Sequence, residues 1–269
     1  MVVERAYFEE QKTGFAKALD TAIETSLSVA GRRVDLRLAW ATWIFARLCA
    51  TGHSIKRLSS PITSDYGTTI DHASIGSLSR NIIEASILIS YLTQGGVSDD
   101  EWSCRVLALH LHDCTARVCL FKGLGANEKY MKQKNVLEDL RSRLSRNSYF
   151  SNLESDLQER IQSGSVIHLH GLRSAAKVAG WDKEHFDAVY SYLSAQPHST
   201  PMGFYRMDER GIDNKAIAPY QFFFVGFALE HAQQSVTHAT ARLRELFSKQ
   251  ENQRDAPEQG STVAGGAAK

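Results

Sequence analysis

The segment Ile75–Leu92 reads IGSLSRNIIEASILISYL and decides the fold. Its large apolar residues recur at helical spacing in two stripes, which together cover most of the circumference of a predicted helix from Asp71 to Gln94. The stripes consist of Ile75, Leu78, Ile82, Ile89 and Leu92, and of Ile83, Ile87, Leu88 and Tyr91. A helix that is apolar on nearly all sides belongs in the middle of a helical bundle.

The rest of the chain favours helices as well. The 269 residues include only five prolines, and none lies between Pro61 and Pro197. Because proline breaks helix interiors, this spacing favours long helices. We predict an all-α, multi-helix bundle of about nine helices, built around the third and fourth and wrapped by the eighth and ninth. Strand-like alternation occurs at Val166–His170, which we interpret as an extended connector.

The chain divides into one domain and a tail. The length favours a single helical domain over residues 1–250, large enough to bury its own core. Residues 251–269 are rich in Gly, Ala, Gln and Glu, and Val263 is their only large aliphatic residue. Such a segment buries too little apolar surface to stay ordered, so we predict a disordered C-terminal tail.

Charge and cysteine content narrow the class of protein. The chain has 31 Lys and Arg against 30 Asp and Glu, which excludes a globally basic nucleic-acid coat. No apolar run approaches the ~20 residues of a membrane span. The first residues of the sequence include charged side chains at positions where a signal peptide requires an apolar stretch. The four cysteines form no Cys-x-x-Cys pair, which favours reduced thiols. We therefore expect a soluble cytoplasmic protein that does not bind membranes.

One polar strip interrupts the apolar third helix. Ser77, Arg80, Asn81 and Glu84 are spaced i, i+3, i+4 and i+7 and so share a face, and beyond the first turn Arg80 and Glu84 are the only charges. Two interpretations stay open. In the first, Arg80 and Glu84 form a buried ion pair that holds neighbouring helices together. In the second, the strip lines the bottom of a polar pocket in which Arg80 binds an anion.

Residues elsewhere are candidates to meet this strip. His110, Asp113 and Arg117 share a face of the fourth helix, either opposite Arg80 and Glu84 or as a half-exposed polar edge. Tyr190 and Ser194 share a face of the eighth helix, and His198 follows Pro197, either facing a cleft or capping a turn. The predicted catalytic residues are Arg80, Glu84, His198 and His110, and the predicted ligand-binding residues are Ser77, Asn81, Asp113, Tyr190 and Ser194.

Two further patterns have weaker functional interpretations. From Lys122 to Arg146 seven basic residues stand against three acidic ones, which indicates a solvated face or an RNA-facing patch. The dipeptide His112–Asp113 resembles the HD-type metal-dependent phosphohydrolases, but no convincing downstream Asp ligand follows it. We therefore expect neither a metal nor a cofactor.

Two stretches resemble a family of uncharacterised bacterial all-helical proteins. They are Arg80-Asn-Ile-Ile-Glu84 and the segment from Tyr190 to His198, with its Tyr-x-x-Leu-Ser…His pattern. More distantly, the chain resembles HEPN-type helical bundles, many of which are metal-independent ribonucleases of toxin or phage-defence systems with an Arg-x(4–6)-His motif. Arg105-x4-His110 and Arg47-x5-His53 match that motif by spacing only.

Together these patterns predict a central polar site for a phosphate-bearing ligand, with RNA as the first choice. If the site is catalytic, the resemblance implies metal-independent RNA cleavage, with Arg80 stabilising developing charge, His198 or His110 as general base and Glu84 orienting Arg80. The alternative is a non-enzymatic scaffold, such as a homodimer, in which the Arg80–Glu84 pair only fixes helix register.

Overall fold

The computed structural model describes residues 2–195, 207, 209–213 and 215–255, with side chains up to residue 251. Within these ranges the chain forms ten helices and one two-stranded sheet, which confirms the all-α prediction. The helices are α1 (Val2–Val29), α2 (Leu36–Leu58), α3 (His72–Leu92), α4 (Asp99–Gly123), α5 (Asn127–Ser145), α6 (Ser148–Ser151), α7 (Ser155–Gln162), α8 (Leu172–Val178), α9 (Lys183–Ser194) and α10 (Pro219–Asp255). The predicted sixth helix is divided into α6 and α7, so the predicted eighth and ninth helices are α9 and α10.

Helix α3 lies at the centre of the main core, as its sequence predicts. It begins after Asp71, whose side chain accepts a hydrogen bond from the backbone N–H of Ser74. It packs against α2 and α10, and α10 also packs along α1. The isoleucines of both stripes are fully buried: Ile75, Ile82, Ile83, Ile87 and Ile89. Burying one such side chain contributes about 1.5–3 kcal/mol, so α3 anchors the bundle.

Helix α4 is not a second central helix, and this part of the predicted architecture is wrong. Its main helical partner is α5. One face, including Val106, joins the main core, while a second face, including Leu107 and Leu111, forms a separate apolar cluster with α5, α6 and α7. The polar residues between these faces remain at the surface, which prevents α4 from being enclosed.

A short β-hairpin precedes α3 and was not predicted. Strand β1 (Ile62–Ser64) pairs antiparallel with β2 (Gly67–Thr69), with Ile62 opposite Thr69. Gly67 has φ +139°, a conformation that side chains disfavour. Strands of three residues with a single large apolar side chain are too short to show alternation, so no sequence pattern indicates them.

The connector between α7 and α8, residues 163–171, contains no helix or strand and is fixed against α3 and α4. Gly164 has φ +74°, and a Cβ atom there would lie 2.9 Å from the carbonyl oxygen of Leu111. The Nδ1 of His112 donates to the carbonyl of Gly164 at 2.8 Å. The backbone N–H of Leu169 donates to the hydroxyl of Tyr91 at 3.2 Å. These contacts hold the intervening residues in a defined position.

The C-terminal boundary differs slightly from the prediction. Helix α10 continues to Asp255, past the predicted domain end at residue 250, and residues 256–269 of the predicted tail lie outside the described residues. Across the described part of the chain, no helix combines the length and apolar character that crossing a bilayer requires.

Candidate functional site: an arginine-lined cavity

A cavity of about 650 Å³ lies between α2, α3, α9 and the connector 163–171. Its apolar lining comes from Ile44, Leu48, Ala85, Leu88, Val166, Ile167 and Leu172. Its polar lining comes from Arg47, Thr51, Arg80, Asn81, Glu84, Arg160, Ser165, His168 and Tyr190. The cavity therefore brings together four of the predicted site residues, namely Arg80, Asn81, Glu84 and Tyr190.

Arg80, Glu84 and Tyr190 form one hydrogen-bonded group in the cavity wall. Oε1 of Glu84 accepts from Nε of Arg80 at 2.9 Å and from the hydroxyl of Tyr190 at 2.5 Å. The guanidinium carbon of Arg80 lies 4.8 Å from the centroid of the Tyr190 ring. The side chains of Arg80 and Glu84 are 30% and 36% exposed, so the pair lines a pocket and is not enclosed between helices.

The phenol of Tyr190 is a permanent donor in this group. Burial, together with its hydrogen bond to the Glu84 carboxylate, raises the pKa of Tyr190 to about 12. The hydroxyl therefore keeps its proton at neutral pH and continues to donate to Glu84. Because α9 carries Tyr190 and α3 carries Glu84, the packing of these two helices sets the orientation of Arg80.

The charge of the cavity lining is unbalanced. Arg47 and Arg160 also line it, and neither forms an ion pair with a described residue. Glu84 is the only carboxylate in the described lining. Three guanidinium groups against one carboxylate give the described lining a formal charge of +2, which favours anions over cations.

His168 adds an imidazole to the same cavity. Its Nε2 atom is buried and has no hydrogen-bond partner among the described residues. Its ring stands edge-on to Tyr91, with centroids 5.2 Å apart. Burial lowers the pKa of His168 to about 4, so the imidazole is neutral at physiological pH. A neutral imidazole has one donor and one acceptor nitrogen, and because Nε2 is closed to solvent, only the rest of the ring is open to the cavity.

Among the described residues the enclosed arginine is Arg105, not Arg80. The side chains of Arg105 and Glu101 are 6% and 20% exposed, and Nη2 of Arg105 lies 2.5 Å from Oε1 of Glu101. Arg105 also donates to the carbonyl of Tyr91 and to Oε1 of Gln94. Since Tyr91 holds the connector at Leu169, Arg105 stabilises the wall that carries His168.

Several predicted residues are not part of the cavity. Asp113 pairs with Arg117 at 2.8 Å on the exposed face of α4, and His110 stands edge-on to Trp40 at 5.3 Å. They lie elsewhere because α4 packs on α5 and does not face the polar strip of α3. The hydroxyls of Ser77 and Ser194 donate to carbonyl oxygens of their own helices, at Ala73 and Tyr190. His198 lies outside the described residues.

The two spacing matches to the HEPN motif do not form a joint site. Arg105 turns toward the end of α3, whereas His110 contacts Trp40 of α2. Arg47 lines the cavity, but His53 does not. The HD-type interpretation is also unsupported: His112 donates to the Gly164 carbonyl, and no group of three His, Cys, Asp or Glu in the described part of the chain is arranged to hold a metal.

Sequence reasoning missed Arg47, Arg160 and His168 as cavity residues. Arg47 had a detectable signal, because it lies among apolar residues of a helix without a single acidic side chain. His168 lies in the segment Val166–His170. The alternation of this segment indicated an extended connector, but it did not indicate which helices the connector packs against. Arg160 had no signal, because only the path of the connector places it beside α2 and α3.

No family model matches this chain, and neither a curated protein nor a solved structure matches it. The cavity is therefore the basis for assigning a function. The resemblance to HEPN-type bundles stays a prediction.

Proposed function

We propose that this protein binds a phosphate-bearing ligand, with RNA as the first candidate, in the arginine-lined cavity. The observation that carries the proposal is the presence of Arg47 and Arg160, both without a carboxylate partner among the described residues, beside Arg80 in a cavity whose described lining has one carboxylate. Guanidinium groups present paired N–H donors that match phosphate oxygens and bind them more strongly than neutral donors do.

The shape and lining of the cavity support this ligand class. A volume of about 650 Å³ is within the range of small-molecule and cofactor sites. Glu84 engages Nε of Arg80 and so leaves the Nη groups as donors for a phosphate. The apolar wall from Ile44, Leu48 and Val166 suits the less polar parts of a nucleotide. The four free thiols fit the reducing cytoplasm as the compartment.

Binding to labelled single-stranded oligouridylate, followed by fluorescence anisotropy, tests the proposal. Arg47→Ala, Arg80→Ala and Arg160→Ala are each expected to weaken binding by about 10-fold or more, because each removes a charged hydrogen bond. Arg57→Ala is the matched control, since Arg57 is an exposed arginine of α2 outside the cavity. Inorganic phosphate is expected to compete with the strand.

Two results would contradict the proposal. One is an equal loss of affinity in Arg57→Ala and in the cavity variants, which would indicate diffuse surface binding. The other is the absence of any binding by strand or phosphate, which would favour the scaffold interpretation. In that case the mass of the purified protein in solution would decide whether it is a homodimer.

A second candidate function is metal-independent cleavage of RNA in the same cavity, and the neutral imidazole of His168 favours it. The 2′-hydroxyl would attack the adjacent phosphorus and give its proton to His168, while the 5′-oxygen leaves and takes a proton from water. This yields a 2′,3′-cyclic phosphate and a free 5′-hydroxyl. Arg80 would stabilise the charge on the phosphorane, and the bound anion would raise the pKa of His168 because it favours the imidazolium.

Incubation with cellular RNA in excess chelator tests this second function. Wild-type protein is expected to cleave, while Arg80→Ala and His168→Ala are not, and His168→Ala should still bind RNA. Cleavage that survives Arg80→Ala rejects the assignment of the site. If cleavage is lost in His198→Ala but kept in His168→Ala, the general base is His198, as the sequence predicts, and not His168. Absence of cleavage by wild type leaves ligand binding as the function.

A further inference from the structure

Helix α2 carries positive charge without local compensation. It contains Arg37, Arg47, Lys56 and Arg57 and no acidic residue. Arg37 and Lys56 pair with Asp99 and Asp20 on other elements, whereas Arg47 lines the cavity and has no such partner in the part of the chain that the structure describes. The surface of α2 is therefore electropositive where it meets the cavity.

The cavity face of α2 continues toward its N-terminus into an aromatic pair. Trp40, Ile44, Arg47 and Thr51 share one face of the helix, and the last three line the cavity. Trp43 lies beside that face, one turn from Arg47 and about 6 Å from it along the axis. The ring centroids of Trp40 and Trp43 are 6.2 Å apart.

Trp43 is unusually exposed. Its relative exposure is 64%, whereas Trp40, Trp102 and Trp181 are all half-buried. The ring of Trp40 makes an edge-on contact with His110, with ring centroids 5.3 Å apart. This contact restrains Trp40, which in turn supports Trp43. Partial burial and the positive charge of Arg143 lower the pKa of His110, and the negative charge of Asp113 offsets part of this effect.

We propose that Trp43, supported by Trp40, stacks an unpaired base of a single-stranded nucleic acid whose neighbouring phosphate lies on Arg47 at the edge of the cavity. This inference rests on the proposed function and specifies its ligand as a strand with accessible bases. An exposed indole next to an unpaired guanidinium matches the alternation of base and phosphate along such a strand. A duplex is excluded from this contact because its base faces are covered.

The test compares two labelled strands by fluorescence anisotropy, an oligouridylate and an abasic strand of the same length and backbone charge. Trp43→Ala is expected to weaken oligouridylate binding by about 5- to 150-fold, because stacking contributes about 1–3 kcal/mol per base. Abasic-strand binding is expected to stay unchanged, and Trp43→Phe is expected to restore part of the loss. Tyr66→Ala, which removes an aromatic ring that is 91% exposed in the hairpin, is the matched control.

The outcomes separate this inference from the proposed function. Equal binding of oligouridylate by Trp43→Ala and wild type overturns stacking, while sensitivity to Arg47→Ala would still support the phosphate site. Equal losses for both strands in Trp43→Ala overturn it as well, since a base contact affects only one of them. A change in oligomeric mass without a change in strand affinity assigns Trp43 to a self-association surface and overturns the inference. Thermal melting checks that each variant is folded.

Discussion

The hydroxyl of Tyr190 donates a 2.5 Å hydrogen bond to Oε1 of Glu84, a residue 106 positions earlier in the chain. The same oxygen accepts from Nε of Arg80, so one carboxylate oxygen is held by two donors. Glu84 is thereby engaged within its own group and forms no ion pair with Arg47 or Arg160. Those two arginines remain available to an anionic ligand.

The first prediction concerns two arginine–glutamate pairs with the same i, i+4 spacing. Arg80→Ala is expected to lower the free energy of unfolding by at most about 1 kcal/mol, because the Arg80–Glu84 pair is partly exposed. Arg105→Ala is expected to cost about 3–5 kcal/mol, because it leaves Glu101 and the Tyr91 carbonyl without their buried partner. Urea denaturation measures both, and equal losses would show that Arg80 is a structural clamp after all.

Replacing Glu84 by Gln is expected to tighten phosphate binding. The amide oxygen still accepts from Arg80 and Tyr190, but the only carboxylate of the described lining is removed, so the formal charge rises. We expect an increase in affinity of about 3- to 10-fold at low salt that diminishes as salt is added. Calorimetric titration with inorganic phosphate measures it, and weaker binding would mean that Glu84 acts mainly by orienting Arg80.

The salt dependence of strand binding should report the number of phosphate contacts. For a single strand, each neutralised phosphate contributes about 0.7 to the slope of log affinity against log salt. Arg160→Ala is therefore expected to reduce that slope by about 0.7, whereas Arg57→Ala leaves it unchanged. An unchanged slope in Arg160→Ala would place the bound phosphate away from α7.

The stability of the protein is expected to fall as pH is lowered from 7 to 5. Burial lowers the pKa of His168 to about 4, below its ordinary value of 6.5, so the unfolded state binds the proton first in this interval. The expected contribution of His168 is on the order of 1–2 kcal/mol across that range. His168→Gln should flatten the profile by this amount in urea titrations at both pH values. A parallel profile would mean that the ring is not enclosed.

Only one of the four cysteines is expected to react quickly with a thiol reagent. Cys49, Cys104 and Cys114 are buried, and burial raises the pKa of Cys49 to about 11 and that of Cys104 to about 12. Cys119 is exposed on α4. Titration of the native protein with a chromogenic disulfide should show one fast equivalent, which Cys119→Ser removes. Fast reaction of several thiols would show that the two apolar clusters open readily.

The strongest sequence signals identified the fold correctly because they are local. The stripes of α3 depend only on residues within one helix. The strip Arg80–Glu84 was recognised for the same reason. The three-residue strands of the hairpin and the division into α6 and α7 were missed, since each is too short to produce a periodic pattern.

The sequence by itself determined an all-α chain with a central apolar helix and one polar strip on it. Only the tertiary structure decided what meets that strip. The sequence left two positions open for His110 and Asp113, opposite Arg80 or along a half-exposed edge of the helix, and the packing of α4 on α5 gives the second. The cavity instead receives Arg47, Arg160 and His168. Helical periodicity fixes which residues share a face, whereas the partner of that face depends on contacts between elements far apart in the chain.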